Sequence, residues 1–408
     1  MKLRYYHKAL IVAAVGIFYT NVPLYVYAKY GIAAPKQWLI LFWLLSLPVL
    51  VIRKTAWNAL KSPVMIWCFW YAWLTILWFF PSSQSEVVWQ EVRWRFIAIS
   101  EILVFLMIFL DPNAVRLARK MLVLAVFIGV AVNIYEVFYP MSFSQTIGRS
   151  AGLYANPTMA GEALVLGMIL SATILPPRYR SVFILLVGIG ILTTLSRSGV
   201  LGWVLAVAGF ILAGRLSMKE LFVSGALGLL LGVLVLLPRL DQILTTLERK
   251  GVVNENVLER LEWFANPTGV SDFSSWERKY VAQRAWNKIA EYPVLGSGTG
   301  SSYEATVPPH NQYLSFMLDH GLIGVMILPL LIVAATWGAR GETRHVAIVF
   351  GCTIAMLSFT TNTILITNYS CILLSLMAAM AATSGHREIK RMAMERRVVG
   401  RGEVLVGA

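Results

Sequence analysis

One histidine in the sequence occupies a position from which it could act on a substrate at a membrane surface. The stretch VPPHNQYLSFMLDHGLIG places His310 after Pro308 and Pro309 and before Asn311, at the start of a strongly apolar run. The two prolines restrict the backbone that carries the imidazole, because the proline ring fixes φ. A histidine held in this way can serve as a general base near neutral pH. The alternative is a structural histidine, which is the commoner role of a lone residue of this type.

An arginine in the preceding segment is the second candidate. SSWERKYVAQRAWNKIAEYP predicts a helix that starts with a capping box at Ser274 and Glu277 and ends at Pro293. Its apolar residues recur at helical spacing and form one stripe, made of Val281, Ala282, Ala285 and Ile289. Arg278 falls on this stripe, whereas Arg284 falls on another face. An arginine on an inward face requires an anion. That anion is either a substrate group or a loop carboxylate such as Glu259 or Glu262.

Two further arginines lie next to apolar runs. Arg197 in TTLSRSG follows Ser196 at a predicted reversal between two helices, where it binds an anion or extends to lipid headgroups. Arg149 lies in GRSAGLYANPTMAGE, ahead of Asn156, which precedes a proline and is a suitable helix cap. Glu162 would then lie one turn inside that helix and face the other helices. Arg149 is either a second anion ligand or a structural residue.

The sequence contains no pattern that is typical of a metal, nucleotide or protease site. The glycine-rich PVLGSGTGSS lacks the Lys-Ser/Thr of a phosphate-binding loop, and it predicts a turn that returns the chain to the membrane. No acidic pair or His-Glu-x-x-His motif offers metal ligands. Cys68, Cys352 and Cys371 lie in apolar runs without ligand spacing and are interpreted as packing residues. We therefore expect no metal and no cofactor.

The composition predicts an all-α membrane protein in which many helices position these residues. Of the 408 residues, 58% are hydrophobic and 14% are charged, against about 25% charged in soluble domains. Apolar runs long enough to approach a bilayer span predict about twelve transmembrane helices, and the last two are separated only by a polar TTNT turn. The predicted spans are 9–28, 37–52, 62–80, 96–110, 121–139, 157–175, 181–196, 198–213, 220–237, 311–335, 345–361 and 363–383.

The charges predict which side each loop faces. Most of the 35 Lys and Arg residues fall on one side of the twelve predicted spans, and few fall in the short loops of the other side, which hold Lys29, Lys36, Arg93, Arg95, Arg149 and Arg197. Because short cytoplasmic loops are rich in positive charge, both termini are predicted to be cytoplasmic. All the unusual polar stretches then lie outside. The basic tail is interpreted as a contact for anionic membrane lipid and not as a nucleic-acid arm.

The predicted organisation has four parts. Residues 1–237 contain nine transmembrane helices, 238–310 form one large outer segment with amphipathic helices, 311–383 contain three more spans, and 384–408 form a basic cytoplasmic tail. The outer segment is too long for a plain connection, and long loops are usually functional.

Three motifs in this order resemble the core of the O-antigen ligase and polymerase family of bacterial inner membranes. They are LTTLSRSG, then ERKYVAQRAWNKIAEYPVLGSGTG, then PHNQYLSFMLDHGLIG, and the resemblance covers roughly residues 146–335. His320 departs from the pattern and is interpreted as a packing or hydrogen-bonded residue. The resemblance implies the fold of a C-type glycosyltransferase, with its active site on the periplasmic face of the inner membrane.

The resemblance also implies a reaction and its partners. The donor would be an O-antigen glycan on undecaprenyl pyrophosphate, transferred by single displacement with inversion and without metal or nucleotide. His310 would be the catalytic base, and Arg278, Arg197 and Arg149 would bind the pyrophosphate. Arginine suits this group because its planar guanidinium binds phosphate with two parallel hydrogen bonds. Asn311, Asn156 and Ser196 would support them.

Within this family the acceptor is the open question. A single large outer segment favours a ligase, which joins the glycan to lipid A–core oligosaccharide. The alternatives are an O-antigen polymerase and a protein O-oligosaccharyltransferase. A transporter of lipid-linked glycan is an alternative of another class, but it would place charged residues and broken helices at mid-membrane, whereas here they gather at one face.

Overall fold

The computed structural model describes residues 2–144, 147–236, 248–252, 254–266, 273–304 and 307–385, with single residues at 242 and 245. Regular structure within these residues is helical, and they contain no strand. The α-helices are α1 (Lys2–Ala13), α2 (Val22–Tyr30), α3 (Pro35–Ile52), α4 (Pro63–Phe79), α5 (Glu86–Phe109), α6 (Pro112–Phe138), α7 (Pro157–Ser171), α8 (Pro177–Thr194), α9 (Arg197–Leu212), α10 (Met218–Leu236), α11 (Glu255–Ala265), α12 (Phe273–Glu291), α13 (Gln312–His320), α14 (Ile327–Thr336), α15 (Glu342–Leu357) and α16 (368–385). The predicted basic tail, apart from residues 384 and 385, lies outside the described residues.

Each of the twelve predicted spans coincides with a helix or a pair of helices. By length and apolar composition, four helical segments in the described part of the chain are long enough to cross a membrane, namely Pro35–Ile52, Pro112–Phe138, Pro157–Ile174 and Gln312–Thr336. The bent pair at the N-terminus makes a fifth if it is counted as one span, and Pro63–Phe79 and Arg197–Leu212 are shorter apolar helices. The chain is thus an all-helical membrane protein, and the number of twelve crossings stays a prediction.

The first predicted span is broken. α1 continues through a π-helical turn, Ala14–Tyr19, and α2 then leaves at an angle of 52°. The break falls at Asn21, whose φ of 60° is left-handed. Asparagine tolerates this conformation better than other non-glycine residues, and a proline in the first turn of α2 favours a new helix start. A hydropathy window cannot detect such a break, because the residues on both sides are apolar.

The helix α7 lies at the centre of the molecule. In the span Pro157–Ile174, 83% of the apolar window is buried by the rest of the protein, against 22% for α3. α7 packs on α6, α8, α9 and α15. The helix is apolar on all sides, as expected of a helix surrounded by others. Its first turn is therefore held at the middle of one end of the bundle.

Some loops that the charge distribution places on the same side of the membrane contact one another in the structure. Arg53 forms an ion pair of 3.1 Å with Asp111, and both lie in predicted inner loops. At the opposite end, the Asn254 side chain donates a 3.3 Å hydrogen bond to the carbonyl of Ile147, and both lie in predicted outer segments. Each of these two contacts joins segments that the prediction assigns to the same side. The side of the membrane that each end faces stays a prediction.

Several helices begin at residues other than the predicted ones, and two of these differences change the interpretation of the sequence. The helix α5 begins at Glu86, well before residue 96, because Ser85 caps it and the added turns pack against the rest of the protein. It buries Arg95, which was assigned to an outer loop, beside Glu91 and Asp319. The TTNT turn is also longer than predicted. α15 ends at Leu357 and α16 begins at residue 368, so the last helix starts later than residue 363.

The helices α12 and α13 form a hairpin at the predicted outer end. Their contact is a small apolar cluster of Ala285, Ile289, Leu314 and Leu318. The apolar stripe predicted for α12 is confirmed, since Val281, Ala285 and Ile289 are all buried. The helix already includes Phe273, one residue before the predicted cap, and the side chain of Ser274 lies outside the described residues.

Candidate functional site

Three helices begin with polar caps at the predicted outer end of the bundle. Asn156 accepts a 2.7 Å hydrogen bond from the Thr158 amide at the start of α7. Ser196 accepts one of 3.2 Å from the Gly199 amide at the start of α9. The helix N-termini of α7 and α9 approach closely, because a Cβ on Gly161 would lie 3.1 Å from the Cβ of Ser196.

Asn311 is the third cap. It accepts hydrogen bonds from the amides of Tyr313 at 3.0 Å and Leu314 at 3.1 Å, at the start of α13. Each of the three residues predicted to support the site is therefore a helix N-cap. A helix N-terminus carries a partial positive charge and favours a neighbouring anion. Two of the predicted site residues are next to these caps: Arg197 follows Ser196, and His310 precedes Asn311.

A buried glutamate shapes the segment that carries Arg149. Glu136, on α6, accepts hydrogen bonds from the backbone amides of four residues, namely Phe143, Ser144, Ala151 and Gly152. These amides lie on both sides of Arg149 in the chain. Arg149 then donates from Nε to the carbonyl of Thr194 at 3.1 Å. Its Nη2 is buried and makes no hydrogen bond within the described part of the chain.

The helix α11 brings two further side chains to the same place. Arg260 donates from Nη1 to the carbonyl of Leu195 at 3.4 Å, and the ring of Trp263 lies 4.8 Å from the guanidinium of Arg197. Leu195 has a φ of 48°, which is unusual for a residue with a branched side chain. The reversal between α8 and α9 is thus at Leu195 and Ser196, and Arg197 is the first residue of α9.

These arginines form a cluster of like charges, which we call the arginine cluster: Arg149, Arg197, Arg260 and Arg278. Burial lowers the pKa of Arg149 to about 9, with further contributions from the positive charges of Arg260, Arg278 and Arg197. Each contribution opposes the charged form, so the charges repel one another. A cluster of this kind favours a multiply charged anion, since such a ligand removes the repulsion and supplies acceptors.

Arg278 is the member that connects the cluster to His310. Its side chain is exposed, which corrects the inward position predicted from the stripe of α12. The residue lies at the edge of that stripe, where the helix faces the end of the bundle. Its charge acts on the pKa of Arg149 and also on the pKa of His310. The structure thus brings the three predicted arginines and the histidine together.

His310 has the properties of a neutral base. Part of the His310 side chain is exposed to solvent, and the residue directly precedes the cap Asn311. Partial burial lowers the pKa of His310 below 6.5, Arg278 lowers it further, and Glu277 raises it. At neutral pH the imidazole is therefore unprotonated and can accept a proton. The backbone after it is held by the Asn311 cap, which accepts hydrogen bonds from the amides of Tyr313 and Leu314.

The backbone amides of the glycine-rich segment have acceptors within the protein. The backbone amides of Gly300 and Ser302 donate to the carboxylate of Asp319, at 3.1 and 2.9 Å. Amides that already donate to a carboxylate are not available to a phosphate group. The interpretation of this segment as a turn is confirmed.

Two other residues named in the sequence analysis, Glu162 and His320, are buried. Glu162 is fully buried in α7 and accepts a 2.9 Å hydrogen bond from the hydroxyl of Tyr369. His320 is fully buried and contacts Arg95 at 2.6 Å and the ring of Trp78. The interpretation of His320 as a hydrogen-bonded packing residue is confirmed.

Sequence reasoning missed Arg260, Trp263 and Glu136. Arg260 and Trp263 lie in the amphipathic helix α11, ENVLERLEWFA, and the same periodicity that identified α12 could have indicated that helix. Glu136 lies within the apolar helix α6, and a carboxylate inside a membrane helix is a signal of a specific role. Neither signal identifies the partner residue, which depends on the fold.

The fold and the site define a class of protein: an all-helical membrane protein with a cluster of arginines and a neutral histidine at one end. A family model described as O-antigen ligase matches residues 182–329. That part of the chain is therefore similar to the O-antigen ligase family, and the match confirms the resemblance over these residues. It includes Arg197, Arg260, Arg278 and His310, whereas Arg149 lies before it. No curated protein matches the chain.

Proposed function

We propose that the protein is an O-antigen ligase, which moves O-antigen glycan from undecaprenyl pyrophosphate to lipid A–core oligosaccharide in lipopolysaccharide biosynthesis. One observation carries the proposal: Arg149 and Arg260 donate to the adjacent carbonyls of Thr194 and Leu195, and Arg197 begins α9 two residues later, so that three arginines meet at one helix end. A pyrophosphate leaving group needs cations, and an attacking hydroxyl needs a base. The family match over residues 182–329 supports the same reaction class.

The arginine cluster has the role of stabilising the leaving group. During transfer, the bond between the anomeric carbon and the pyrophosphate oxygen breaks, and its electron pair remains on the pyrophosphate. Guanidinium groups donate paired hydrogen bonds to such oxygens, and donors aimed at developing charge lower the barrier. The N-termini of α7 and α9 add partial positive charge near the same group. The proposed reaction uses neither metal nor cofactor.

His310 has the role of general base. The acceptor hydroxyl oxygen attacks the anomeric carbon from the side opposite the pyrophosphate, and the imidazole takes the hydroxyl proton. This displacement inverts the configuration at the anomeric carbon. A positioned base contributes about 10²–10⁴-fold to such a reaction. The polyprenyl chain of the donor would hold the reacting carbon at the membrane surface, on the periplasmic face of the inner membrane.

Transfer with purified protein tests the proposal. The protein is mixed with lipid-linked glycan and with one of two acceptors, either lipid A–core or a second lipid-linked unit. Product on lipid A–core is the expected result. Product only on the second lipid-linked unit would identify a polymerase, and transfer to neither acceptor would contradict the proposal.

A test of the role of His310 requires measurements of both donor affinity and turnover. We expect His310→Ala and His310→Gln to abolish transfer while donor binding is retained, because the arginines remain. If His310 instead binds pyrophosphate as a cation, donor binding weakens and His310→Lys keeps activity. Intact turnover in His310→Gln would show that another group takes the proton.

A further inference from the structure

A second group of charges is buried away from the arginine cluster. Arg95 on α5 is 3% exposed and Asp319 at the end of α13 is fully buried. Arg95 donates to Asp319 through Nη2, to Glu91 through Nε at 3.0 Å, and contacts His320 through Nη1 at 2.6 Å. Burying charged groups is costly unless they are paired and hydrogen-bonded. Here every nitrogen of the guanidinium has a partner.

Asp319 also holds the glycine-rich segment that follows α12. Its Oδ1 accepts from the Ser302 amide at 2.9 Å and from the Ser301 hydroxyl at 3.1 Å, and its Oδ2 accepts from the Gly300 amide at 3.1 Å. The carbonyl of Asp319 accepts from the Gly298 amide at 3.0 Å. One residue therefore fixes the turn from several directions.

The turn has no room for side chains at its glycines. A Cβ on Gly296, where φ is +70°, would lie 2.4 Å from the amide nitrogen of Gly321. A Cβ on Gly298, where φ is +98°, would lie 2.8 Å from the Cα of Ser82. The close approach lets the backbone amides reach the carboxylate. Thr299 ties the same turn to α4 through its amide, which donates to the carbonyl of Trp78 at 2.9 Å.

The hydrogen-bonded group of Arg95, Asp319 and residues 298–302, which we call the lock, includes a stretch of chain between the two residues of the proposed site. The glycine-rich segment begins at Pro293, two residues after α12, which carries Arg278, and it ends ahead of His310 and α13. Apart from the lock, the described contact between the two helices is the small cluster of Ala285, Ile289, Leu314 and Leu318. Small apolar side chains pack in more than one register, whereas directed hydrogen bonds to a buried carboxylate allow one.

We propose that Arg95 and Asp319 are positioning residues, which hold α12 and α13 in a single register and thereby set the separation of Arg278 from His310. The inference rests on the proposed function, because it assigns these two groups to the pyrophosphate and to the acceptor hydroxyl. It adds two residues that touch neither substrate. Their effect reaches the reaction through the backbone of the hairpin.

The expected effect falls on turnover and on its pH dependence. Donor binding depends on several arginines and changes little, whereas a shift between base and leaving group of about 1 Å can cost up to about 100-fold in rate. The pKa of His310 is lowered by partial burial and by Arg278, and raised by Glu277. If the hairpin loosens and Arg278 moves away, this pKa rises toward 6.5.

The experiment uses the full-length protein and the variants Arg95→Lys and Asp319→Asn. Both keep the volume of the side chain approximately, and Arg95→Lys also keeps the charge, so at least one is expected to fold. Arg53→Lys is the matched control, since it changes a different arginine–aspartate pair at the opposite end of the bundle, with a nitrogen–oxygen distance of 3.1 Å. Hydrogen exchange of residues 297–302 is measured without substrate, followed by donor affinity, kcat and the pH profile of transfer.

The expected result has three parts. In both lock variants the amides of the turn exchange faster, kcat falls about tenfold or more with donor affinity within about threefold, and the acid limb of the pH profile moves to higher pH. Arg53→Lys shows none of these changes. Faster exchange with an unchanged kcat and pH profile would overturn the inference, and so would an equal loss in Arg53→Lys.

The failure of the proposed function gives a different pattern. In that case the wild-type protein itself does not transfer glycan to either acceptor, while the exchange measurement still reports whether Arg95 and Asp319 hold the turn. Unchanged exchange in both variants would overturn the lock regardless of catalysis.

Discussion

Replacing Arg260 by glutamine should make the donor-free protein more stable and the donor bind more weakly. Arg260 is a member of the arginine cluster, and its positive charge contributes to the lowered pKa of Arg149. The substitution removes the charge and keeps a side chain that can still donate a hydrogen bond. Glutamine can also donate the hydrogen bond that Arg260 makes to the carbonyl of Leu195, which is long at 3.4 Å and therefore weak.

The size of the stability change can be worked from Arg149. Lowering its pKa to about 9 means that the folded protein opposes its charge by about 5 kcal/mol, since one pKa unit corresponds to about 1.4 kcal/mol. Burial is the largest cause, and three arginines share the remainder. Interactions between partly exposed charges contribute about 1 kcal/mol or less, and we take this value for the repulsion between Arg260 and Arg149. For a chain of this size that is a rise in the unfolding temperature of about 1–2 °C.

The change in donor affinity has the opposite sign and is larger. A hydrogen bond from a charged group to an anion contributes about 1.5–3 kcal/mol. Losing about 2 kcal/mol weakens donor binding roughly 30-fold. The added stability and the lost affinity come from the same charge, because repulsion in the free site is what a bound pyrophosphate relieves.

The assay is thermal unfolding of the purified protein, followed by tryptophan fluorescence, with and without inorganic pyrophosphate. Donor affinity is measured in parallel with lipid-linked glycan. A ligand that binds only the folded state raises the unfolding temperature, so pyrophosphate should raise it less in Arg260→Gln than in the wild type. Arg284→Gln is the control, since it removes one charge from an exposed residue of α12 whose guanidinium lies over the ring of Tyr280.

Two results would refute the reasoning. If Arg260→Gln unfolds at a lower temperature and binds donor as the wild type does, Arg260 is a structural residue. If Arg284→Gln weakens donor binding as much as Arg260→Gln, the effect is one of net charge and not of the cluster.

Three further predictions follow from the site and from the predicted orientation. Arg278→Lys keeps the charge but loses the planar guanidinium, so we expect transfer to fall by at least about tenfold, whereas Arg284→Lys should change it little; equal losses in transfer rate would contradict the role of Arg278. Transfer should decline as the pH falls through a value below 6.5, because partial burial and Arg278 lower the pKa of His310 and protonated His310 cannot accept a proton. A decline that begins above pH 6.5 would exclude His310 as the base. A cysteine at Ser83 should react with a membrane-impermeant thiol reagent added outside intact inner membranes, and a cysteine at Ser217 should not; the reverse labelling pattern would place the site on the wrong side for an exported donor.

Local properties of the sequence were enough to predict the helices and several of their starts. An apolar run of sufficient length forms a helix in a membrane because no other arrangement satisfies the backbone there. The cap at Asn156 is equally local, since its side chain accepts from an amide two residues away. The prolines before His310 and the arginine beside the reversal at Ser196 could be recognised in the same way.

The tertiary structure decided which charges meet. Arg95 looked like a residue of an outer loop, but it is buried against Asp319, which lies 224 residues further along the chain. Arg260 carries no local sign of its position beside Leu195, because that contact spans 65 residues.

The sequence by itself therefore indicated that the chain lies in a membrane, where its helices are and which residue types are available for chemistry. Only the fold decided that Arg149, Arg197, Arg260 and Arg278 form one cluster and that Arg278 also acts on His310. The physical reason is the distance along the chain over which each effect acts. Hydropathy and capping act within a few residues of the chain, whereas the electrostatic environment of a side chain depends on whichever groups the packing of distant helices brings near it.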